Sequence, residues 1–399
     1  MIELLESKGH EVIPFSVRYS KNLHSKYDNY FVSALSSEKE VYFKDHSWTA
    51  SSFKKTLQRA FYSSEVYRSL IALIKETKPD AAVVLHYLRK LSPAVLTALA
   101  DNRIPFVVRL SDYAMICPNA YLLRDIVVCQ LCVGKSMLPS IKYRCVQGSL
   151  GASVVNYAAT QYHLAKGYFD LIPHFITPSK FLRSKMIEGG WDEKRLVHIP
   201  TFVQPQHFNF DENRKRQIVY AGRLEKIKGV QILLKAISIL KNDKPQKPFD
   251  MIIVGDGDPV YVAELKGFVT AHNLENVHFI GNVSKEKVLE ILKNSFISIV
   301  PSILYENTPN TVLESFACGT PVIASNHGSF PELVMEGKTG FLFEPGNAND
   351  LAKKIINVVD HQELCLAMSK NAMEFIAMNH SPNNHYKQLM ALLTSLQGR

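Results

Sequence analysis

The sequence predicts an α/β fold of two Rossmann-like units in tandem, facing each other across a cleft. Three observations carry that prediction. Short β-branched runs alternate with helix-length amphipathic stretches from end to end. The alternation breaks once, near residues 200–216, where "PTFVQPQHFNFDENRKR" combines prolines with a charge run, and then starts afresh. With 399 residues, 46% of them hydrophobic, the chain can build two such cores. The expected division is an N-terminal domain over 1–205, a C-terminal domain over 206–380 and a closing helix over 381–399.

In the first unit the pattern predicts a helix at "IELLESKG", strands near "EVIPFSV", "DAAVVLHY", "PFVVRLS" and "HFITPS", and helices at "SSEVYRSLIALIKET" and "SPAVLTALADN". In the second it predicts strands at "RQIVYAG", "FDMIIVGDG", "NVHFIGN", "FISIVPS", "PVIASN" and "GFLFEP", separated by helices including "GVQILLKAISIL" and "KEKVLEILKN". The last stretch, "NNHYKQLMALLTSLQ", has apolar residues at helical spacing, which suits core packing or a return across the domain interface.

Composition excludes several classes. The longest apolar runs, such as "DAAVVLHYL", fall well short of the roughly 20 residues that span a bilayer. "MIELLESKGH" lacks the basic start and apolar core of a secretory signal, so a cytoplasmic protein is expected. The net charge of +9 is uneven: residues 1–200 carry 26 Lys and Arg against 17 Asp and Glu, and the remainder carries 20 of each. A basic first half suits an anionic partner, either a membrane surface or a lipid-linked pyrophosphate, and equally suits a solvated face. "KSMLPSIKYR" and "YLRKLSPAV" interleave bases with apolar residues, as membrane-surface segments do. No nucleic-acid-binding signature is present, and no nucleic-acid partner is expected.

The chemistry concentrates in the second unit. "VYAGRLEKIKGV" sets Arg223 and Lys228 in the loop between a strand and a helix start. Two cations beside free helix-end amides make a diphosphate site; Arg forks onto two oxygens and Lys acts as a point charge. Further on, "YENTPNTVLESFACGT" follows a buried strand. Its helix is expected to be capped by Asn310 and closed by Gly319, leaving the amides of Asn310, Thr311 and Val312 as donors to an anion. Glu306 on the loop and Glu314 in the helix then divide the work, one meeting a reacting group and the other anchoring hydroxyls beside the anion. Taken alone, such a glutamate pair is as easily an ordinary loop and helix surface.

"GRLEKIKG", "VGDGD", "FIGNVS" and "YENTPNTVLESFACGTPVIASNHGSFPELVMEGKTGFLFEPGN", in that order, resemble the donor half of the retaining glycosyltransferases of family 4, which have the two-Rossmann GT-B architecture. The resemblance implies transfer of a sugar from a nucleotide-diphosphate-sugar to a glycan or lipid-linked acceptor, as in surface polysaccharide biosynthesis, with no cofactor required for catalysis. It implies that Arg223 and Lys228 hold the diphosphate, that Glu314 binds the ribose and that Glu306 meets the transferred sugar. Asn307, Pro309, Asn310 and Thr311 would supply the loop around sugar and phosphate. Gly255, Gly281, Asn282 and Val283 would border the nucleotide. "DGD" at 256–258 ends a strand in a Gly-rich turn and is expected to be structural.

The first unit resembles the family less closely. "PFVVRLSDYAMICPN" occupies the catalytic segment, yet Ser111 stands where relatives usually have His. Asp112 becomes the catalytic candidate there, and Arg109 a phosphate contact; His86 suits a satisfied strand residue. The family opens with a strand and Gly-rich loop before a helix ending in "GHEV", and this chain opens inside that helix, so that strand and loop are expected to be missing. Those departures keep a nucleotide-sugar-binding protein without turnover as an alternative, and a sugar-nucleotide epimerase as a third reading. Finally, Cys117, Cys129, Cys132 and Cys145 follow a C-x11-C-x2-C-x12-C spacing within an insertion over 117–145. That pattern suits a structural zinc, with ordinary core packing of small thiols as its alternative.

Overall fold

The computed structural model describes all residues except Lys21, 36–49, Arg89, 206–213, 243–247 and 398–399. Its N-terminal half runs α1 (Ile2–Glu6), α2 (Ala50–Phe61), α3 (Ser64–Thr77), β1 (Ala82–Leu85), α4 (Ala94–Asp101) and β2 (Phe106–Arg109). A small hairpin, β3 (Leu123–Arg124) and β4 (Val127–Val128), and α5 (Pro139–Lys142) come next. The half ends with α6 (Leu150–Ala165), β5 (Phe175–Thr177), α7 (Lys180–Glu188) and β6 (Leu196–His198). Strands β1, β2, β5 and β6 form one parallel sheet in that order.

Local chemistry explains these elements. In α3, Ser63 caps the first turn by accepting from the Val66 amide, and Val66, Leu70, Leu73 and Ile74 make one buried stripe at helical spacing. The strand expected at 11–17 does not form. Val17 makes an isolated bridge with Val32, and among the described residues β1 pairs with β2 alone, so this segment does not extend the sheet at that edge. Ile13 and Phe15 instead pack against the core through their side chains.

The second half runs β7 (Lys215–Ala221), α8 (Val230–Asn242), β8 (Asp250–Val254), α9 (Pro259–Ala271), β9 (Val277–Gly281), α10 (Lys285–Asn294) and β10 (Ser295–Val300). It continues with α11 (Asn310–Ala317), β11 (Val322–Ser325), α12 (Phe330–Leu333), β12 (Gly340–Phe343), α13 (Ala348–Asp360) and α14 (Gln362–Asn379). Its six strands form a parallel sheet ordered β12-β11-β10-β7-β8-β9. Every residue of β10 and β11 is buried, as strands covered on both faces should be. Asp258 caps α9 by accepting from the Val260 and Tyr261 amides, which gives the acidic triplet a structural role.

The last helix, α15 (Pro382–Gln397), leaves the second unit and returns to the first. Leu389 and Leu393 bury against Val107, Ile176 and Ile199 of the N-terminal unit. His385 Nδ1 donates to the Pro200 carbonyl, 2.7 Å away. The chain thus straps its two sheets together. No described helix is long and apolar enough to cross a membrane.

Candidate functional site

The order of the second sheet locates the site. From β7 the chain builds outward through β8 and β9, then crosses back to lay β10 on the opposite side of β7. The crevice beyond the carboxyl ends of β7 and β10 is therefore a topological switch point, where open α/β sheets bind ligands. Arg223 and Lys228 lie on the loop after β7, and Glu306 lies on the loop after β10.

Close packing joins the two loops. Gly229 has φ +78, and a Cβ there would fall 1.8 Å from the Pro301 carbonyl oxygen. Only glycine lets α8 start against the end of β10. Across this contact Lys228 Nζ meets Glu306 Oε1 at 2.6 Å, both side chains being largely buried. Ser302 Oγ donates to the same carboxylate oxygen at 3.0 Å. His327 Nε2 sits 2.8 Å from the Ser302 carbonyl, and burial pushes its pKa down, so the ring is neutral and donates. Arg223 is more exposed and pairs with Glu225 at 2.5 Å.

Helix α11 opens over the same crevice. Its N-cap is Pro309, not Asn310, and no side chain caps it. Proline at that point offers no side-chain acceptor, and its carbonyl takes the Val312 amide at 3.0 Å. Of the three amides expected to be available, Val312 is thus engaged, whereas those of Asn310 and Thr311 carry no hydrogen bond among the described residues. Thr311 Oγ1 donates to the Ala221 carbonyl at 3.2 Å, which pins α11 to the end of β7. Gly319, at φ +65, follows the last turn. Glu314 lies half-buried with its pKa raised by desolvation, while Lys285, 3.9 Å away, pulls it the other way.

The N-terminal sheet faces this crevice with its own strand ends. Arg109, at the end of β2, donates to Ser111 Oγ at 3.1 Å and Thr201 Oγ1 at 2.9 Å. Burial lowers its pKa, and no carboxylate of the described residues lies within ion-pair distance of it. Asp112 Oδ1 accepts from the Ala114 amide at 2.8 Å. Its Oδ2 lies 3.6 Å from His86 Nδ1. His86 is not the satisfied strand residue expected: it follows β1 at φ +43, with its side chain 58% exposed beside Asp112.

Both units therefore line one cleft of about 360 Å3. Arg109, Ser111, Asp112 and Thr201 come from one side, and Arg223, Lys228, Glu306, Asn307, Thr308 and Asn310 from the other. Direct contacts hold the two walls: Ser179 Oγ donates to Asn307 Oδ1 at 2.9 Å, and Thr308 Oγ1 to the Pro178 carbonyl at 3.2 Å. Phe181 packs edge-on against Tyr305 with ring centroids 5.0 Å apart. Glu332 accepts from the Lys180 and Phe181 amides at the start of α7. Glu314 lines an adjoining cavity of about 410 Å3, which shares Arg109, Thr201 and Asn310 with the first.

Other expected residues stand apart. Gly281, Asn282 and Val283 follow edge strand β9 and line neither cavity. Val283 packs against the small cluster of Val219, Val254, Leu292 and Cys318. Gly255, at φ +129, is required by backbone: a Cβ would lie 1.9 Å from the Gly222 carbonyl oxygen. Its amide donates to the Gly281 carbonyl at 2.8 Å. The expected zinc site is not formed. All six cysteines are free, Cys117 Sγ donates to Asn119 Oδ1, and no cluster of three or more His, Cys, Asp or Glu among the described residues is placed to hold a metal. Burial and the neighbouring thiols of Cys117, Cys145 and Cys129 push Cys132 up to about 11.

Sequence reasoning did not find Ser302, His327 and Ser329, which hold Glu306 and its loop. They act through a carbonyl, a hydroxyl and an amide, contacts that leave no spacing signature. Nor did it find Glu332 or Thr201, whose partners lie more than a hundred and some ninety residues away respectively.

Known proteins agree with this geometry. Residues 203–375 match the family model described as glycosyl transferases group 1. An uncharacterized glycosyltransferase of Methanocaldococcus jannaschii is 31% identical over 200 residues, covering 50% of this chain and 53% of the relative. The amylovoran biosynthesis glycosyltransferase AmsK of Erwinia amylovora is 25% identical over 228 residues, 55% of each chain. The chain spans about half the length of the curated relatives it matches. Among solved structures, sucrose-phosphate synthase from Thermosynechococcus elongatus superposes with a TM-score of 0.67 at 18% identity, covering 99% of this chain and 91% of that one. HepE of Anabaena in complex with UDP gives 0.61 at 21% identity, with 82% of each chain covered. By the match over residues 203–375 this chain is similar to the group 1 glycosyl transferases through its C-terminal half, and by its two parallel sheets it has the GT-B fold.

Proposed function

We propose that the protein is a retaining glycosyltransferase that moves a sugar from a nucleotide-diphosphate-sugar to a hydroxyl of a glycan or lipid-linked acceptor. One observation supports this above the rest: Arg223, Lys228 and the first amides of α11 surround a single cleft with Glu306 and, from the facing sheet, Arg109 and Asp112. In this reading Arg223, Lys228 and the Asn310 and Thr311 amides take the diphosphate, Glu314 the ribose, and Gly255 with Gly281–Val283 the edge of the nucleotide. Glu306 and Asn307 hold the sugar, with Pro309 fixing the turn into α11.

The bond from the anomeric carbon to the diphosphate oxygen breaks as the acceptor oxygen bonds to the same face. Negative charge grows on the leaving diphosphate, where fixed cations and amides stabilise it most. The acceptor proton ends on that diphosphate. Asp112, with His86 beside it, orients the acceptor hydroxyl. UDP bound to HepE and the biosynthetic role in AmsK's name support a nucleotide donor and a polysaccharide product. The basic first half supports a peripheral place on the cytoplasmic face of a membrane.

The test is to incubate the full chain with a panel of nucleotide-sugars and a bacterial lipid extract, following nucleoside diphosphate release and the anomeric configuration of the product. Transfer with retention is expected. Tight nucleotide binding without release in any acceptor extract would leave only the binding-protein reading, which Ser111 favours by standing in the usual place of His.

A further inference from the structure

Two tyrosine hydroxyls are buried with no hydrogen-bond partner among the described residues, those of Tyr87 and Tyr113. Both residues are 2% exposed. A phenol O–H left unpaired in a protein interior costs stability and calls for a reason. Tyr87 lines neither the cleft nor its adjoining cavity, whereas Tyr113 lines the cleft.

The fold fixes where the Tyr113 side chain sits. Its amide donates to the Ala120 carbonyl at 3.2 Å, closing the loop that follows Asp112. Its ring packs edge-on against Phe181, with centroids 6.4 Å apart, and Phe181 in turn meets Tyr305, the neighbour of Glu306. Burial raises the Tyr113 pKa well above the usual phenol value, and the facing carboxylates of Glu306 and Glu332 add to the rise, as does Tyr305. The hydroxyl therefore keeps its proton and is available as a donor.

The two carboxylates differ in what they leave free. Glu332 uses both oxygens on the Lys180 and Phe181 amides. Glu306 takes Lys228 and Ser302 on Oε1 alone, and its Oε2 carries no hydrogen bond among the described residues. The cleft thus presents an unused donor from one wall and an unused acceptor from the other. That pair selects a chemical group. An ether or carbonyl accepts from a phenol but has no proton for a carboxylate, and an ammonium has protons but no lone pair. A hydroxyl serves both.

We propose that Tyr113 is a specificity-determining residue, whose O–H donates to one hydroxyl of the transferred sugar while that same hydroxyl donates to Glu306 Oε2. The inference rests on the glycosyl-transfer reading above and adds to it a free hydroxyl required at one ring position. A donor sugar that is deoxy or O-substituted there is rejected.

The test is a cycle of calorimetric affinities on the full chain. The tightest binder among UDP-glucose, UDP-galactose, UDP-N-acetylglucosamine and GDP-mannose is compared with its monodeoxy analogues and with the nucleoside diphosphate alone. One analogue should bind the parent at least about tenfold more weakly, because it leaves a buried donor and a carboxylate oxygen unpaired. Tyr113→Phe should weaken the intact donor by about fivefold to tenfold and leave that analogue unaffected, so that discrimination shrinks at one ring position and at no other. Nucleoside diphosphate affinity should stay unchanged. The melting temperature of the unliganded chain should not fall, since phenylalanine keeps the ring and deletes only an unpaired hydroxyl. Tyr87→Phe makes the same deletion outside the cleft and should alter no affinity.

Equal weakening of the intact donor and every analogue by Tyr113→Phe overturns the inference and assigns the hydroxyl to the fold. A Tyr113→Phe chain that matches the parent throughout overturns it too, with water as the partner of the hydroxyl. So does a parent that holds nucleotide-sugars no more tightly than the nucleoside diphosphate. A parent that binds none of these nucleotides overturns the transfer reading itself, and with it the naming of a sugar as the ligand.

Discussion

The two walls of the cleft are held in different ways. On the C-terminal wall, the loops after β7 and β10 grow from neighbouring strands of a six-stranded sheet, and close backbone packing fixes them: Gly229 seats against Pro301 and Gly255 against Gly222, with the Thr311 hydroxyl on the Ala221 carbonyl as a further tie. On the N-terminal wall the strands are three or four residues long, and the groups facing the cleft are held by side chains. Arg109 rests on two hydroxyls, and Asp112 on one amide of its own turn. Backbone contacts place a common ligand part the same way each time. Side-chain contacts can be exchanged without disturbing the sheet, so in the proposed reading the N-terminal wall is where acceptor choice can vary.

The sharpest way to break this contrast is to remove the central cation of the C-terminal wall. In the transfer reading, Lys228→Met takes one positive charge from the diphosphate, and it leaves Glu306 buried without its lysine partner. Turnover with any active donor should fall by roughly 10² to 10³, as for loss of one preorganised electrostatic contact, with a circular dichroism spectrum unchanged. A loss below about fivefold would mean that the diphosphate lies elsewhere. Gly229→Ala attacks the same wall through backbone. Its Cβ cannot coexist with the Pro301 carbonyl, so α8 or β10 must shift, and we expect about 3 kcal/mol of destabilisation in urea unfolding. An unchanged midpoint would remove the claim that backbone holds this wall.

The same contrast explains what the sequence made legible. The second unit reads clearly because strand, loop and helix succeed one another with glycines at forced positions, and each cleft residue lies within a few positions of a strand end. All six of its strands are where the β-branched runs predict them. The first unit reads less well. "EVIPFSV" has the composition of a strand but contributes only the isolated Val17–Val32 bridge, and "LVH" of β6 is too short to stand out. The cysteines have metal-like spacing, yet spacing along the chain does not fix where thiols point. Arg109 was legible as a phosphate contact near a strand end, but that no carboxylate of the described residues lies within ion-pair distance of it depends on the fold.

Arg109 offers a prediction of intermediate size in which stability and activity part company. Its guanidinium is desolvated without an anionic partner among the described residues, an arrangement that costs stability and that a ligand anion offsets. Arg109→Met should raise the melting temperature of the unliganded chain, while lowering kcat/KM about tenfold through loss of a charge-assisted contact. A drop in both would show that the arginine serves the fold and not the ligand.

Glu314 tests the C-terminal wall through pH. Its pKa is raised in the folded chain, so near that pKa the folded state holds its proton more tightly than the unfolded state does. Stability from this group is therefore present at acidic pH and lost as pH rises through the raised pKa, above the ordinary carboxyl value of 4.5. Glu314→Gln removes that slope. The melting temperature of the variant should gain on the parent between acidic and neutral pH, while nucleotide affinity falls about tenfold at neutral pH if the carboxylate accepts from ribose. A variant that matches the parent at every pH and keeps its affinity removes Glu314 from the site.

The smallest expected effect concerns the junction between the walls. Glu332 of the C-terminal unit accepts from both the Lys180 and Phe181 amides, acting as an anionic cap on α7 of the N-terminal unit. A carboxylate there satisfies two helix-end donors and complements the helix dipole, worth about 1 kcal/mol in similar settings. Glutamine keeps one acceptor and turns its NH2 toward the second amide, so Glu332→Gln should cost about that much in global stability. It should also loosen the contact between units before it unfolds either. Hydrogen exchange at the start of α7 should quicken, while the amides of β10, deep in the other sheet, keep their protection. Equal loss of protection at both places would mean that the two walls unfold as one body, and that the division between a backbone-fixed wall and an adjustable one has no counterpart in their stability.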